Sequence, residues 1–432
     1  MSNDKLQNAY LSMVSIVGEK NSTEWKNITP SLQTAILGAV EPGMTPSCIV
    51  YPHTQAELGA VIAQAYCNQW PVLMCGSGSK LSWGSLAKGI DIVISTIYLN
   101  QLINHAVGDL TVTVEAGIKF ADLQNTLAQA NQFIALDPTY PDDATIGGII
   151  ATANTGSLRQ GYGSVRDQIL GITFIRSDGE IVKAGGRVVK NVAGYDLMKL
   201  FTASYGTLGA VAQVTLRLYP IPQASQTVVL TGDINAIFQA ANTLRGSALT
   251  PTQADLISEQ LVFDLSVGKG LALIARFQSI PESVSEQSKQ LLQMGEKLGL
   301  TGVTHTEENE SDLWQRLRES MHNITQTLTI TCKIGILPTA ATDLFTQGAM
   351  GIIHIASGLG ILRCANEQEV LKMRNICENH SGFLSLLAAP NQIKEKIDVW
   401  GYNGNALSLM QGIKQKFDSK NILSPGRFVS GI

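Results

Sequence analysis

The sequence is short of charge: Asp, Glu, Lys and Arg make up only 15% of its residues against 44% hydrophobic ones, which excludes a self-repelling, disordered chain and leaves ample apolar material for a core. It has no block of lysines or arginines and a formal net charge of −4. Without clustered cations to displace counterions from a polyphosphate, nucleic acid is excluded as a partner. No stretch reaches the roughly 18 consecutive apolar residues that span a bilayer. The N-terminal MSNDKLQNAYLSMVSIVGEK breaks its apolar positions with charges and amides and so lacks a signal-peptide core. The expected location is the cytoplasm, with any membrane association made through partners. The cysteines, Cys48, Cys67, Cys75, Cys332, Cys364 and Cys377, include no C-x-x-C pair. That excludes a zinc or iron-sulfur framework in this chain; buried free thiols and no bound metal are expected.

A length of 432 residues exceeds one ordinary core, and two main domains are expected. Residues 1–41 have apolar positions at helical spacing, as in Leu32, Ala35, Ile36 and Ala39. From Pro46 the pattern shortens. A strand SCIVY precedes a helix opening at Thr54, with Glu57 completing a capping box, and a strand PVLMC ends at Cys75. DIVIST follows, then LTVTVEAG, whose Thr/Val alternation predicts a half-buried strand, and KFADLQNTLAQANQ, which reads as a helix. ILGITFIRSDGEIVKAG forms a hairpin-like pair around Ser177, Asp178 and Gly179. PIPQASQ, from Pro220, marks a boundary. Beyond it, strand-like runs such as VVLTG, LALIARF, TLTITCKIGI and GIIHIASG alternate with amphipathic helices such as SVSEQSKQLLQMGEKLG, an α+β composition.

Three glycine-rich constellations carry the candidate chemistry. The first, Cys75-Gly76-Ser77-Gly78-Ser79-Lys80, follows a strand; small residues there let successive N–H groups converge on an anion, although a tight turn would use the same residues. It is neither a Rossmann fingerprint, since Leu81 stands where a third glycine belongs, nor a Walker loop, since Lys80 lies between Ser79 and Leu81. The second, from Pro141 to Asp167, sets Gly147, Gly148, Gly156, Gly161 and Gly163 among β-branched and small residues, where backbone can approach a planar ring or a phosphate. The third runs from Lys190 to Pro220, with Gly206 and Gly209 bracketing a turn into the strand AVAQVTLRL.

In this order and spacing the three resemble the FAD-binding domain of the p-cresol methylhydroxylase and vanillyl-alcohol oxidase superfamily, over about 180 residues. The fold class this implies is α+β: a PCMH-type two-subdomain FAD-binding domain over residues 42–221, an α+β cap domain over 222–395, and a C-terminal segment, 396–432, returning to the FAD domain. The resemblance assigns the pyrophosphate to Gly76, Ser77, Gly78, Ser79 and Lys80, with Trp83 close by. Pro141, Thr145, Ile146, Gly147, Gly148, Asn154, Gly156, Gly161 and Gly163 are assigned to the flavin and pyrophosphate, and Gly206, Gly209 and Val211 to main-chain contacts. Members that attach FAD covalently use a histidine beside the first loop. Here that stretch is GSGSKLSWG, and His53 and His105 lie outside it, so non-covalent FAD is expected. His53 itself reads as a surface residue.

Within the superfamily, GSGSKLSWG, KNVAGYDLMKLFTASYGTLGAV and FDSKNILSPGRF resemble the second flavin subunits of glycolate oxidase (glycolate dehydrogenase) complexes. The resemblance implies an FAD-dependent oxidoreductase subunit acting on CH–OH groups. Its substrate would be a small 2-hydroxy acid such as glycolate, and its partners a catalytic flavin subunit and an iron-sulfur subunit. A stand-alone glycolate or D-lactate dehydrogenase and a non-catalytic assembly subunit are the alternatives. The catalytic relatives carry a His-Ala-Gly-Asp-Gly-Asn type motif. The matching stretch here, from His354 to Arg363, lacks its acidic residue, its Asn and its second histidine, and their Ser-Glu-Gly is Ser204-Tyr205-Gly206. Oxidising a 2-hydroxy acid needs a proton acceptor and a cation for the carboxylate. His354 and Arg363 are the candidates, a buried structural histidine being the other reading of His354; Arg159 and Arg166 are either anion contacts or surface arginines.

Overall fold

A computed structural model describes residues 3–187, 194–322 and 329–432; Lys190 to Ala193 of the third constellation, and the Thr327-Leu328 start of the run TLTITCKIGI, lie outside these. The chain divides into two compact units. One contains residues 1–155, 164–220 and 402–432, and the other contains 156–163 and 221–401.

The first unit is built on two sheets. Strands β1 (Ser22–Glu24), β2 (Cys48–Val50), β3 (Val72–Cys75) and β4 (Ile92–Ser95) form a four-stranded sheet in the order β1-β2-β4-β3, parallel except for β1. β2 and β3 run parallel on either side of β4, so the chain must cross over between them, and the helix Gln55–Asn68 supplies that crossover. Thr54 caps this helix by accepting from the Glu57 N–H at 3.1 Å, while the Glu57 carboxylate accepts from the His53 N–H at 2.7 Å, one residue before the cap. Strands β5 (Leu102–Ala106) and β6 (Thr111–Glu115) then lead to β7 (Gln132–Phe133), β8 (Ile169–Ile175), β9 (Ile181–Gly185), β10 (Ala210–Arg217) and β11 (Tyr219–Pro220). Five of these make an antiparallel sheet in the order β5-β6-β10-β8-β9, and β7 pairs with β11.

β6 is buried along its whole length rather than half-buried. It lies between β5 and β10, and the Thr113 hydroxyl finds the Thr215 hydroxyl at 2.9 Å, so the polar face of the Thr/Val alternation is satisfied inside the protein. The C-terminal residues belong to this unit: Leu423 bridges Val72 of β3 in parallel, and the Lys414 ammonium is held by Asp418 at 2.6 Å and by the carbonyls of Thr207 and Leu423 at 2.9 Å each. All six cysteines are free, and Cys67 is exposed on the helix Gln55–Asn68 rather than buried.

The second unit is one antiparallel sheet of eight strands: β12 (Ala224–Gly232), β13 (Gln253–Ile257), β14 (Leu271–Ser279), β15 (Thr301–Thr306), β16 (Ile330–Gly335), β17 (Met350–His354), β18 (Leu359–Cys364) and β19 (Phe383–Ala388). Its order is β15-β12-β14-β13-β17-β18-β16-β19. One face carries Leu256, Leu273, Ile353, Leu362 and Ile334 into the larger core of this unit, together with Ile237 and Leu244 of the helix Ile234–Gly246 and Val284 and Leu291 of the helix Pro281–Lys297. The other face packs Ile257, Ile274, Ile352 and Ile361 with Leu313 and Leu317 of the helix Glu307–His322. Period-two alternation thus feeds two cores from one sheet.

Candidate cofactor cleft and polar cluster

The end of β3 releases the chain into Gly76-Ser77-Gly78-Ser79-Lys80, and this loop forms one wall of a cleft in the first unit. Gly78 has φ +87°, a left-handed conformation open to glycine without penalty, which turns the loop back so that Lys80 points inward. Thr145 and the helix Ile146–Thr152 make a second wall, with the Gly148 N–H donating to the Thr145 hydroxyl at 3.2 Å. The third wall is Ser204-Tyr205-Gly206 with Gly209, Ala210 and Val211. Ala203 and Tyr205 are non-glycine residues at φ +68° and +53°. Hydrogen bonds from their N–H groups to Ile150 O at 3.0 Å and Ala151 O at 2.8 Å hold that strained turn in place.

Lys80 is the telling residue. It is buried, and its ammonium makes no hydrogen bond with any described residue. Burial pushes its pKa down to about 8. A Cβ added at Gly148 would lie 3.7 Å from the Lys80 Nζ, so backbone without a side chain faces the charge. An unpaired buried cation facing small residues fits the pyrophosphate of a dinucleotide, which brings the missing negative charge and needs room for its backbone contacts.

Of the residues singled out from the sequence, Gly76, Ser77, Gly78, Ser79, Lys80, Thr145, Gly147, Gly148, Gly206, Gly209 and Val211 line this cleft. Trp83, Pro141, Ile146 and Asn154 do not. The Trp83 ring is buried and its carbonyl accepts from Arg427; the Pro141 carbonyl accepts from the Ala121 N–H at 3.2 Å. Ile146 packs in the hydrophobic core, and Asn154 braces the Thr139 backbone and hydroxyl at 2.9 and 3.0 Å. Gly156, Gly161 and Gly163 group with the second unit, the Gly161 N–H donating to Thr252 O at 3.1 Å.

Among the lining residues not anticipated are Tyr205 and Arg427. Tyr205 has its hydroxyl pushed up to about 12 by burial. Arg427 is buried, its pKa lowered to about 10 by burial, and it donates to the carbonyls of Leu81 at 2.9 Å, Trp83 at 2.5 Å and Ser85 at 2.8 Å. The stretch Ser424-Pro425-Gly426-Arg427 carried the signal, since an arginine after a Pro-Gly turn near a chain end has to find acceptors somewhere. Arg427 ties the stretch after the glycine loop together from behind.

The second unit holds a separate polar cluster. Register pairs Asp255 of β13 with His354 of β17, and the fully buried Asp255 carboxylate lies 2.6 Å from the imidazole Nδ1. Its other oxygen accepts from the Ser157 hydroxyl. Because a carboxylate only accepts, Nδ1 carries the proton and Nε2 is the basic nitrogen of neutral His354. Arg363 is not beside it. It pairs with Met350, four residues before His354 on β17, which is about 13 Å along a strand, and its guanidinium donates to Met321 O at 3.0 Å inside the core.

Comparison with known proteins places this geometry. The chain has the PCMH-type fold of FAD-binding proteins: it superposes on p-cresol methylhydroxylase with a TM-score of 0.75 at 14% identity, covering 99% of this chain and 97% of that one. Residues 46–185 match the FAD binding domain family, residues 399–428 match the C-terminal domain of FAD linked oxidases, and the cofactor is FAD. Among curated proteins, the chain is 29% identical to the mitochondrial D-lactate dehydrogenase (cytochrome) of Arabidopsis thaliana over 64% of this chain and 50% of that protein. It is 34% identical to glycolate oxidase subunit GlcE of Escherichia coli over 40% of this chain and 49% of that protein. The chain thus spans about half the length of these curated relatives. Among the described residues no helix is long and apolar enough to cross a membrane.

Proposed function

We propose that this chain is the FAD-binding subunit of a glycolate-oxidising complex, an oxidoreductase component that passes electrons from 2-hydroxy acid oxidation to a partner carrying iron-sulfur clusters. The observation that carries the reading is the contrast between the two units. The FAD cleft is furnished down to the unpaired Lys80, whereas of the substrate motif only His354 is kept in place, Arg363 being turned to Met321 O inside the core. The likeness to subunit GlcE supports the same reading. FAD is held without a covalent link, in keeping with the absence of histidine among the described residues lining the cleft.

When bound, the flavin supplies the acceptor for the hydride of a CH–OH group. Lys80 would neutralise pyrophosphate charge, with the buried Thr145 and Gly147 and the half-buried Gly148 limiting water at that contact. His354 is the candidate acceptor for the hydroxyl proton, its basic Nε2 set by Asp255. That pair favours a second reading, a self-sufficient 2-hydroxy acid dehydrogenase, with which the likeness to D-lactate dehydrogenase agrees.

Anaerobic titration with glycolate and D-lactate distinguishes them. The purified, FAD-loaded chain is expected to stay oxidised alone and to be reduced only within a natively co-purified complex. Rapid reduction of the isolated chain overturns the subunit reading in favour of the self-sufficient enzyme.

A further inference from the structure

The face of the second unit's sheet that carries Asp255 and His354 also carries Lys333. Lys333 of β16 pairs with Ile361 of β18, Ile361 pairs with Ile352 of β17, and Ile352 lies two residues before His354 on the same side of its strand. Residues 156–163 belong to this unit, and Ser157 fixes where they lie by its hydrogen bond to Asp255. Two residues on, Arg159 begins a short helix and comes close enough to Lys333 for the two charges to repel.

Other cations of this face are spent. Arg276 is paired with the buried Glu310 at 3.0 Å, and Arg363 donates to Met321 O. Arg159 and Lys333 are different. Both are half-buried, and neither side chain makes a hydrogen bond or ion pair with any described residue. Burial, and then the Arg159 charge, hold the Lys333 pKa below its ordinary range. Two half-buried cations that lie close together without an ion pair to any described residue repel one another, and an anion between them removes that repulsion.

We propose that Arg159 and Lys333 form a binding site for a small carboxylate on the sheet face that presents Asp255 and His354. A planar guanidinium grips a carboxylate through two parallel hydrogen bonds and a lysine adds a point charge, so a two- or three-carbon 2-hydroxy acid suits the site. The anchoring role expected from the sequence for Arg363 falls to this pair instead. The assignment rests on the proposed 2-hydroxy acid chemistry for the identity of the ligand, but not for the existence of the site.

Calorimetric titration of the FAD-loaded full chain with oxalate, an unreactive dicarboxylate, tests it. Oxalate is expected to bind one site, and Arg159→Met and Lys333→Met are each expected to weaken it by roughly tenfold or more, with flavin content and melting temperature retained. Lys333→Arg should recover most of the affinity. Absence of binding to the wild type, or unchanged affinity in both Met variants, overturns the site. Oxalate binding that is lost in the variants, in a protein whose flavin no 2-hydroxy acid reduces, upholds the site while defeating the proposed function.

Discussion

Asp255 and His354 face one another across adjacent antiparallel strands, and the 2.6 Å contact between the carboxylate and Nδ1 decides which imidazole nitrogen is basic. Asp255→Asn replaces an obligate acceptor by an amide that can present its NH₂ and select the other tautomer. If His354 takes the hydroxyl proton, the rate of flavin reduction by substrate in the active assembly should fall by about 10²- to 10⁴-fold, as in His354→Asn, with FAD content and KM little changed. The pH profile of the Asp255→Asn variant should also move, which simple loosening of the sheet would not produce. Unchanged rates in both variants would remove His354 from the mechanism.

Lys80 makes FAD binding depend on pH. Burial lowers its folded value from 10.5 to about 8, so between those values the FAD-free native chain binds fewer protons than the unfolded one and its stability rises with pH. A pyrophosphate favours the charged form. Affinity for FAD should therefore be full below about pH 8 and decline above it, approaching tenfold per pH unit. Fluorescence titration of FAD at about pH 7 and about pH 9.5 measures the slope, which Lys80→Met should abolish together with much of the affinity.

Gly76 has no space for a side chain. A Cβ there would sit 2.1 Å from the Thr145 hydroxyl oxygen, which also caps the following helix through the Gly148 N–H. Gly76→Ala should cost roughly 2–4 kcal/mol by urea denaturation, combining overpacking with a displaced cap, and should lower the FAD content. Adding Thr145→Ala relieves the collision without restoring the cap, so the double variant should recover only part of the loss.

Arg427 satisfies carbonyls that follow the glycine loop. Arg427→Met leaves those of Leu81, Trp83 and Ser85 without this donor and should destabilise the first unit by about 3 kcal/mol or more, with loss of bound FAD. Arg427→Lys should recover only part, because an ammonium cannot reproduce the planar spread of donors. Thermal melts followed by flavin fluorescence report both effects.

Much of the FAD cleft was legible along the chain, because its parts are local. Gly76 to Lys80, Thr145 to Gly148 and Gly206 to Val211 are each a short run of small residues whose backbone must stay uncovered, and that demand leaves a compositional trace. Thr54 and Glu57 were legible for the same reason, although the Glu57 carboxylate reaches one residue further back than a capping box requires. Gly156, Gly161 and Gly163 were not separable from their neighbours, since no local pattern marks where a continuous glycine-rich stretch passes from one compact unit to the other. Arg427 was hidden because its acceptors lie about 340 residues earlier in the chain.

The sequence by itself determined the α+β class and the runs of small residues that line the cleft, because those rest on periodicity and on where side chains are missing; the flavin cofactor followed from the family resemblance that those runs carry. Only the tertiary structure decided which charges are paired. Strand register brought Asp255 to His354 and carried Arg363 away, Ser157 tied residues 156–163 to Asp255, and packing left Lys80, Arg159 and Lys333 without partners among the described residues. Charge pairing is a matter of a few ångströms between residues distant in sequence, and an amino-acid order sets such distances only through the fold.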